Sequence, residues 1–262
     1  MLNGTRLLIT GVATPDSIAF ATARRCLEFD ARVVLTAFPR DLDLTRDMAA
    51  GLGPDIDVLA LDLTDEDQIA TVTAQIGTAH GGLDGALHAV AFSPRQALTG
   101  TMMDAGPHEV ELAFRSSAWT LAGLARVLRD LAPVTGGSLV GLDFDADDRA
   151  WPTYNWMGVC KAALRSTSRY LARDLGPVGI RVNLVAAGPL HTRAAGGIPD
   201  FDLLLDAWAT TAPLTWDPRD PRPVADTVCF LVSDLARAIT GEVLHVDGGF
   251  HAMAAPRPSP EA

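Results

Sequence analysis

The chain has 262 residues, with 21 basic and 32 acidic side chains and a formal net charge of −11. So acidic a balance excludes a protein whose affinity rests on a basic surface, for nucleic acid or for an anionic membrane. Apolar residues at 48% and charged residues at 20% are the proportions of a folded domain.

Arg6-Leu7-Leu8-Ile9-Thr10 is a short apolar strand closed by Gly11, and Ser17 to Phe29 follows at helical spacing with Ser17 placed to cap the first turn. Arg32 to Thr36 is β-branched and reads as a buried strand, and Ile56 to Leu61 repeats the type. Thr64 to His80 reads as a helix whose acidic first turn suits the positive helix end. Gly85 to Val90 and Ser138 to Leu142 are two further strands, separated by a helical stretch ending near Leu131. Tyr154 to Leu175 is a long helix stopped by Gly176-Pro177. Val182 to Ala186 is a sixth strand, Val224 to Ser233 a further helix, and Glu242 to Val246 a last strand. Continuous apolar strands alternating with helices predict an α/β fold, a single Rossmann-type doubly wound parallel sheet flanked by helices. Residues 1–255 are expected to form one domain, with a disordered tail over residues 256–262.

Cys26, Cys160 and Cys229 stand apart without a C-x-x-C pair, which argues against a disulfide scaffold or cysteine-based zinc and suits a reducing compartment. No apolar run reaches the roughly 18 residues of a membrane span. Residues 1–6 lead into the first strand without a signal peptide's layout, so a cytoplasmic location is expected. Of the 21 basic residues, 20 are Arg and only Lys161 is Lys, and the two tyrosines are Tyr154 and Tyr170. A lysine retained in so Arg-biased a chain suggests a need for a compact ammonium. His108-Glu109-Val110-Glu111 lacks the second histidine of a zinc motif, so no metal is inferred.

The strand closed by Gly11, the turn after it and the helix N-terminus reached through Thr14 to Ala19 form an anion site, with free N–H groups aimed at a pyrophosphate. Only Gly11 stands where G-x-G-x-x-G has three glycines, so the turn alone reads equally as an ordinary connection. The second strand ends on Ala37-Phe38-Pro39-Arg40 instead of an acidic residue. Phe38 is placed to stack beside an adenine, and Arg40 leaves the choice between NADH and NADPH open. Asp62 either bonds the adenine amino group or caps the helix that follows.

Tyr154 and Lys161 are seven residues apart, about 700° around a helix, and so share one face about 10 Å apart along the axis. That separation suits two groups contacting different parts of one dinucleotide. The phenol donates to a developing oxyanion while the ammonium holds ribose hydroxyls. Taken alone, Tyr154 reads more readily as a buried structural tyrosine, and it is the pairing with the lone lysine that shifts the reading toward catalysis.

These segments resemble an enoyl-acyl-carrier-protein reductase of the FabI/InhA type, in the short-chain dehydrogenase/reductase superfamily, and most of all its actinobacterial InhA branch. The residues carrying the resemblance are Gly11 to Phe20, with a G-x5-S-I-A pattern, His88-Ala89-Val90-Ala91-Phe92 and Gly141-Leu142-Asp143-Phe144-Asp145. Tyr-x6-Lys at Tyr154 and Lys161, Ala186 to Thr192 and Val246-Asp247-Gly248-Gly249 complete the set. The resemblance implies NAD(P)H-dependent reduction of a trans-2-enoyl thioester, with hydride moving to Cβ and Tyr154 stabilising the enolate oxygen. It implies Lys161 on the nicotinamide ribose, Phe144 flanking nicotinamide and substrate, and Phe92 and Met157 beside the substrate. It makes residues 1–255 one NAD(P)-binding reductase domain, in which Gly11, Ser17, Ile18, Asp62, Leu63, Ala89, Val90, Ala91, Ala187, Gly188, Pro189, Leu190 and Thr192 line the cofactor. A homotetramer is implied as well, with the substrate carried on acyl carrier protein or coenzyme A.

The resemblance is incomplete. Ala89 and Ala91 replace a serine and a glycine, and the Ala91 methyl is expected to weaken triclosan-like inhibitors that stack there. Asp145 to Arg149 reads as a lengthened, solvated acidic loop. The segment Thr192 to Trp216 looks shorter than in long-chain relatives, which predicts a shorter or looser acyl pocket. The alternatives are a reductase of another enone, imine or ketone in secondary metabolism, and a catalytically silent nucleotide-binding protein. A charge of −11 opposes docking of an acidic carrier unless a local basic patch offsets it.

Overall fold

The computed structural model describes residues 1–257. Seven strands run parallel in one sheet, in the order β3-β2-β1-β4-β5-β6-β7. They are β1 (Arg6–Thr10), β2 (Arg32–Ala37), β3 (Val58–Ala60), β4 (Gly85–His88), β5 (Gly137–Asp143), β6 (Ile180–Ala187) and β7 (Val243–Val246). The order reverses between β1 and β4, which opens a crevice at the carboxyl ends of those strands.

Both faces of the sheet are covered, as continuous apolar strands require. Leu7 and Ile9 of β1 point into a core with helices α1 (Ile18–Glu28) and α8 (Arg222–Val232), while Leu8 joins the opposite core. That second core is built with α3 (Glu66–His80), α5 (Thr120–Leu131) and α6 (Asn155–Leu175). Ser17 caps α1 as expected, its hydroxyl accepting from the Phe20 N–H at 3.1 Å. Two smaller helices, α2 (Leu42–Ala50) and α4 (Pro107–Phe114), and α7 (Asp202–Thr211) complete the fold.

The structure departs from the sequence reading in several places. The strand expected over 56–61 pairs with β2 only at Val58 to Ala60, because β3 is an edge strand and Ile56 turns into the core instead. Helix α3 starts at Glu66 and not at Thr64, because Asp65 caps it, accepting from the N–H groups of Asp67 and Gln68. Helix α2 was not foreseen. Between α4 and α5 the chain makes a π-helical turn over Arg115–Trp119. Ser117 in that turn bonds both the N–H and the carbonyl of Phe92. The expected tail falls partly outside the described residues, and within them Arg257 donates to the carbonyls of Thr210 and Ala209 at the end of α7. Among the described residues no helix is long and apolar enough to cross a membrane.

Candidate active site

Each singled-out segment stands at or just beyond the carboxyl end of a strand or opens the helix that follows, so the parallel sheet gathers them along one edge. Gly11 leaves β1 with φ of 80°, and a Cβ there would lie 2.1 Å from the carbonyl oxygen of Ala89. Only glycine fits so close an approach at positive φ. The Thr10 hydroxyl donates to Leu87 O and accepts from Ala89 N, which locks the ends of β1 and β4 together. In the turn that follows, the Thr14 hydroxyl is buried without a hydrogen-bond partner. Ser17 satisfies one N–H of the first turn of α1, where Ile18 is the first helical residue, and the remaining N–H groups point out of the helix end. An orphaned hydroxyl, open N–H groups and a glycine pressed against the neighbouring strand fit a dinucleotide pyrophosphate.

The adenosine end is more open. Phe38 is exposed just past β2, with the Arg40 guanidinium 4.8 Å from its ring centroid. One Asp62 oxygen accepts from both the N–H and the hydroxyl of Thr64, each at 2.8 Å. That spends this oxygen on the turn before α3, whose cap is Asp65, and leaves the second carboxylate oxygen for a ligand. Leu63 is buried, Ala89 and Val90 are half-buried, and Ala91 and Phe92 lie exposed on the rim.

The reacting end is assembled from β5 and α6. Tyr154 is the residue before α6, not its first turn, and Asn155 has a positive φ of 38°. The seven-residue angular argument therefore does not govern Tyr154. Its ring is set instead by Phe144, at 5.0 Å between centroids, within a cluster that includes Met157. Burial, then the charge of Asp143, pushes the Tyr154 phenol above its ordinary pKa, so it stays a protonated donor. Lys161 is buried in the second turn of α6, and its ammonium donates to Leu142 O at 2.9 Å. Burial lowers the Lys161 pKa, and the charge of Asp143 acts against that shift.

Strand β6 supplies the opposite wall. Ala187, Gly188, Pro189 and Leu190 are buried, and a Cβ on Gly188 would lie 2.8 Å from the indoles of Trp208 and Trp216. Pro189 O accepts from the Trp216 indole at 2.7 Å, and Thr192 accepts from Ala195 N at 3.2 Å. A cavity of about 400 Å³ brings Thr14 of the first turn to Thr192, Arg193 and Ile198. The residues singled out from the sequence thus stand beyond the carboxyl ends of β1 to β6 or at the start of the following helices, with Phe38 and Phe92 exposed.

Sequence reasoning missed the charged support beneath this crevice. Arg165, one turn beyond Lys161, meets Asp143 at 2.6 Å and Asp145 at 3.0 Å and also pairs with Asp147. The acidic loop is therefore not simply solvated: Asp145 is 5% exposed and also contacts His245 at 3.3 Å. That bond first, and Arg165 after it, holds the Asp145 carboxyl well below the usual range. Asp145, Asp147 and Asp148 cluster closely, with Arg165 and Arg149 supplying positive charge among them. Acidic residues at 143, 145 and 147, with an arginine four beyond the lone lysine, were the available signal.

His88 was also overlooked as a structural group. The Thr120 hydroxyl donates to Ser116 O, so it accepts from His88 Nε2, leaving Nδ1 buried and unpartnered. Burial pushes the His88 pKa down to about 3.

Comparisons with known proteins fit this geometry. Residues 11–251 match a family model described as enoyl-(acyl carrier protein) reductase. The chain is 41% identical to an enoyl-[acyl-carrier-protein] reductase [NADH] of Mycolicibacterium smegmatis, over 95% of this chain and 97% of the relative. Similar proteins of that name occur in Aquifex aeolicus, at 37% identity over 97% of this chain and 93% of the relative. The Escherichia coli protein is also 37% identical, over 95% of each chain.

Proposed function

The chain belongs to the enoyl-(acyl carrier protein) reductase family, and we propose that it uses NADH to reduce the trans-2 double bond of an enoyl thioester in fatty-acid synthesis. The observation that carries this reading is the placement of the protonated Tyr154 phenol against Phe144, with buried Lys161 on the helix that follows. When bound, NADH supplies the hydride. The phenol donates to the thioester oxygen as negative charge builds there, and the product takes up one proton at Cα. An ammonium has three donors, and Lys161 spends one on Leu142, keeping two for the ribose hydroxyls. Gly11, Thr14, Ser17 and Ile18 hold the pyrophosphate, while Phe38, Asp62 and Leu63 border the adenosine. Ala89, Val90, Ala91, Ala187, Gly188, Pro189, Leu190 and Thr192 complete the cofactor lining, and Phe92, Phe144 and Met157 border the substrate.

Acyl carrier protein is the carrier we assign, with coenzyme A thioesters as working surrogates, in the cytoplasm. A homotetramer accords with the apolar groove of about 760 Å³ that includes Val110, Phe114, Trp119 and Trp156. The deciding experiment follows NADH oxidation with crotonyl thioesters on both carriers, in parallel with NADPH. Turnover lost in Tyr154→Phe supports the assignment. No oxidation with any enoyl thioester, or turnover indifferent to the phenol, overturns it.

A further inference from the structure

Resting on the reductase reading, we infer that the acyl subsite admits only short enoyl chains, because a fixed wall of Trp151, Trp208 and Phe250 fills the space behind Phe144. On that reading the thioester oxygen lies at Tyr154, and since the Phe144 ring stands between Tyr154 and Trp208 of α7, we assign the chain beyond Cβ a path past that ring. There the Phe144 centroid lies 5.6 Å from Trp151 and 5.7 Å from Trp208. Trp151 lies 5.3 Å from Trp208 and 5.6 Å from Phe250, and Trp208 stacks on Phe250 at 3.8 Å and 11°. All of these separations are at or below ordinary contact between aromatic rings, which leaves no channel for methylenes among them.

The wall is also pinned. Trp151 donates to Asp145 O at 2.8 Å and Trp208 to Asp247 O at 3.0 Å, so two indoles are tied to two different loops. Trp208 is 2% exposed and Phe250 8%. The chain after β7 secures the segment further, through Leu214 N to Gly248 O and Arg257 N to Thr210 O, both at 3.0 Å. A short connection held this way makes a shallow subsite rather than a loose one. Displacing an indole to admit a long chain would break a buried hydrogen bond together with its stacking.

The test compares kcat/KM for crotonyl-, trans-2-hexenoyl- and trans-2-dodecenoyl-coenzyme A in the full-length enzyme. The dodecenoyl thioester is expected to be at least about tenfold poorer than crotonyl, the scale on which an apolar pocket discriminates by size. In Trp151→Ala and Phe250→Ala the dodecenoyl-to-crotonyl ratio rises at least about tenfold, whereas Trp151→Phe, which keeps a ring, stays near the parent ratio. Thermal melts identify folded variants, and Phe250→Leu replaces any that fail to fold. An optimum at dodecenoyl in the parent enzyme, or an unmoved ratio in a folded alanine variant, overturns the inference while the reductase reading stands. No turnover of any thioester overturns both.

Discussion

The guanidinium of Arg165 reaches the carboxylate of Asp143 at 2.6 Å and thereby ties α6 to the end of β5. Lys161 stands one turn before Arg165 on α6 and Phe144 directly follows β5, so one buried ion pair helps fix the spacing between the Lys161 ammonium and the ring beside Tyr154. Arg165→Met leaves the carboxylates of Asp143 and Asp145 without their shared cation, and breaking a buried pair in this way costs about 3–5 kcal/mol. Arg165→Lys restores only part of that, because one compact ammonium cannot fork to three carboxylates. Urea denaturation of the three proteins at neutral pH measures both effects, and equal stability of the methionine variant would contradict the structural role.

Tyr154→Phe separates chemistry from folding. The hydroxyl makes no capping bond to α6, so its removal is expected to change stability by less than about 1 kcal/mol. Loss of a positioned proton donor is expected to lower kcat by about 100-fold or more. A melting temperature near the parent value, with steady-state turnover depressed to that degree, is the expected combination.

Lys161→Arg tests whether the lone lysine is needed for its shape. The slot is 8% exposed and already directs the amine to Leu142 O at 2.9 Å, which leaves little space for a planar guanidinium. NADH affinity, read by the fluorescence of the bound dinucleotide, is expected to fall at least about tenfold. Affinity equal to the parent would show that charge alone suffices.

His88 predicts a pH dependence of stability. Its folded pKa of about 3 lies below the unfolded value of 6.5, so between these values only the unfolded chain takes up the proton. Stability conferred by this group is complete above pH 6.5 and declines as pH falls, by about 1.4 kcal/mol per pH unit. Urea titrations from about pH 6.5 down to 5, above the ordinary carboxylate range, isolate the effect. The slope is expected to diminish in His88→Asn, and an identical slope would refute the assignment.

Gly11→Ala is expected to destabilise the protein by about 3 kcal/mol or more, since alanine pays for positive φ and meets Ala89 O as well. Thermal melts with and without NADH test this, and stabilisation by NADH should also weaken.

How much of the site was legible in the sequence depended on whether a residue's partner was local. Ser17 announced its capping role because it bonds three residues ahead, to Phe20. The strands from β1 to β7 were legible from apolar runs, except for β3, whose length is decided by pairing at the sheet edge. Arg165 and Asp143 lie 22 residues apart, and no local pattern states that their side chains meet. The aromatic wall joins positions 144, 151, 208 and 250, which only the crossing of β5, α7 and the chain after β7 brings together.

The succession of strands, the glycine at the first turn and the presence of one tyrosine seven residues before the lone lysine were determined by the sequence by itself, because each is a matter of residue type and short spacing. The packing of Trp151, Trp208 and Phe250 behind Phe144, the burial of Asp145 and the orientation of Tyr154 ahead of α6 were decided only by tertiary structure. Those properties depend on contacts between segments distant in the chain, whose geometry follows from the packing of the whole sheet and its covering helices.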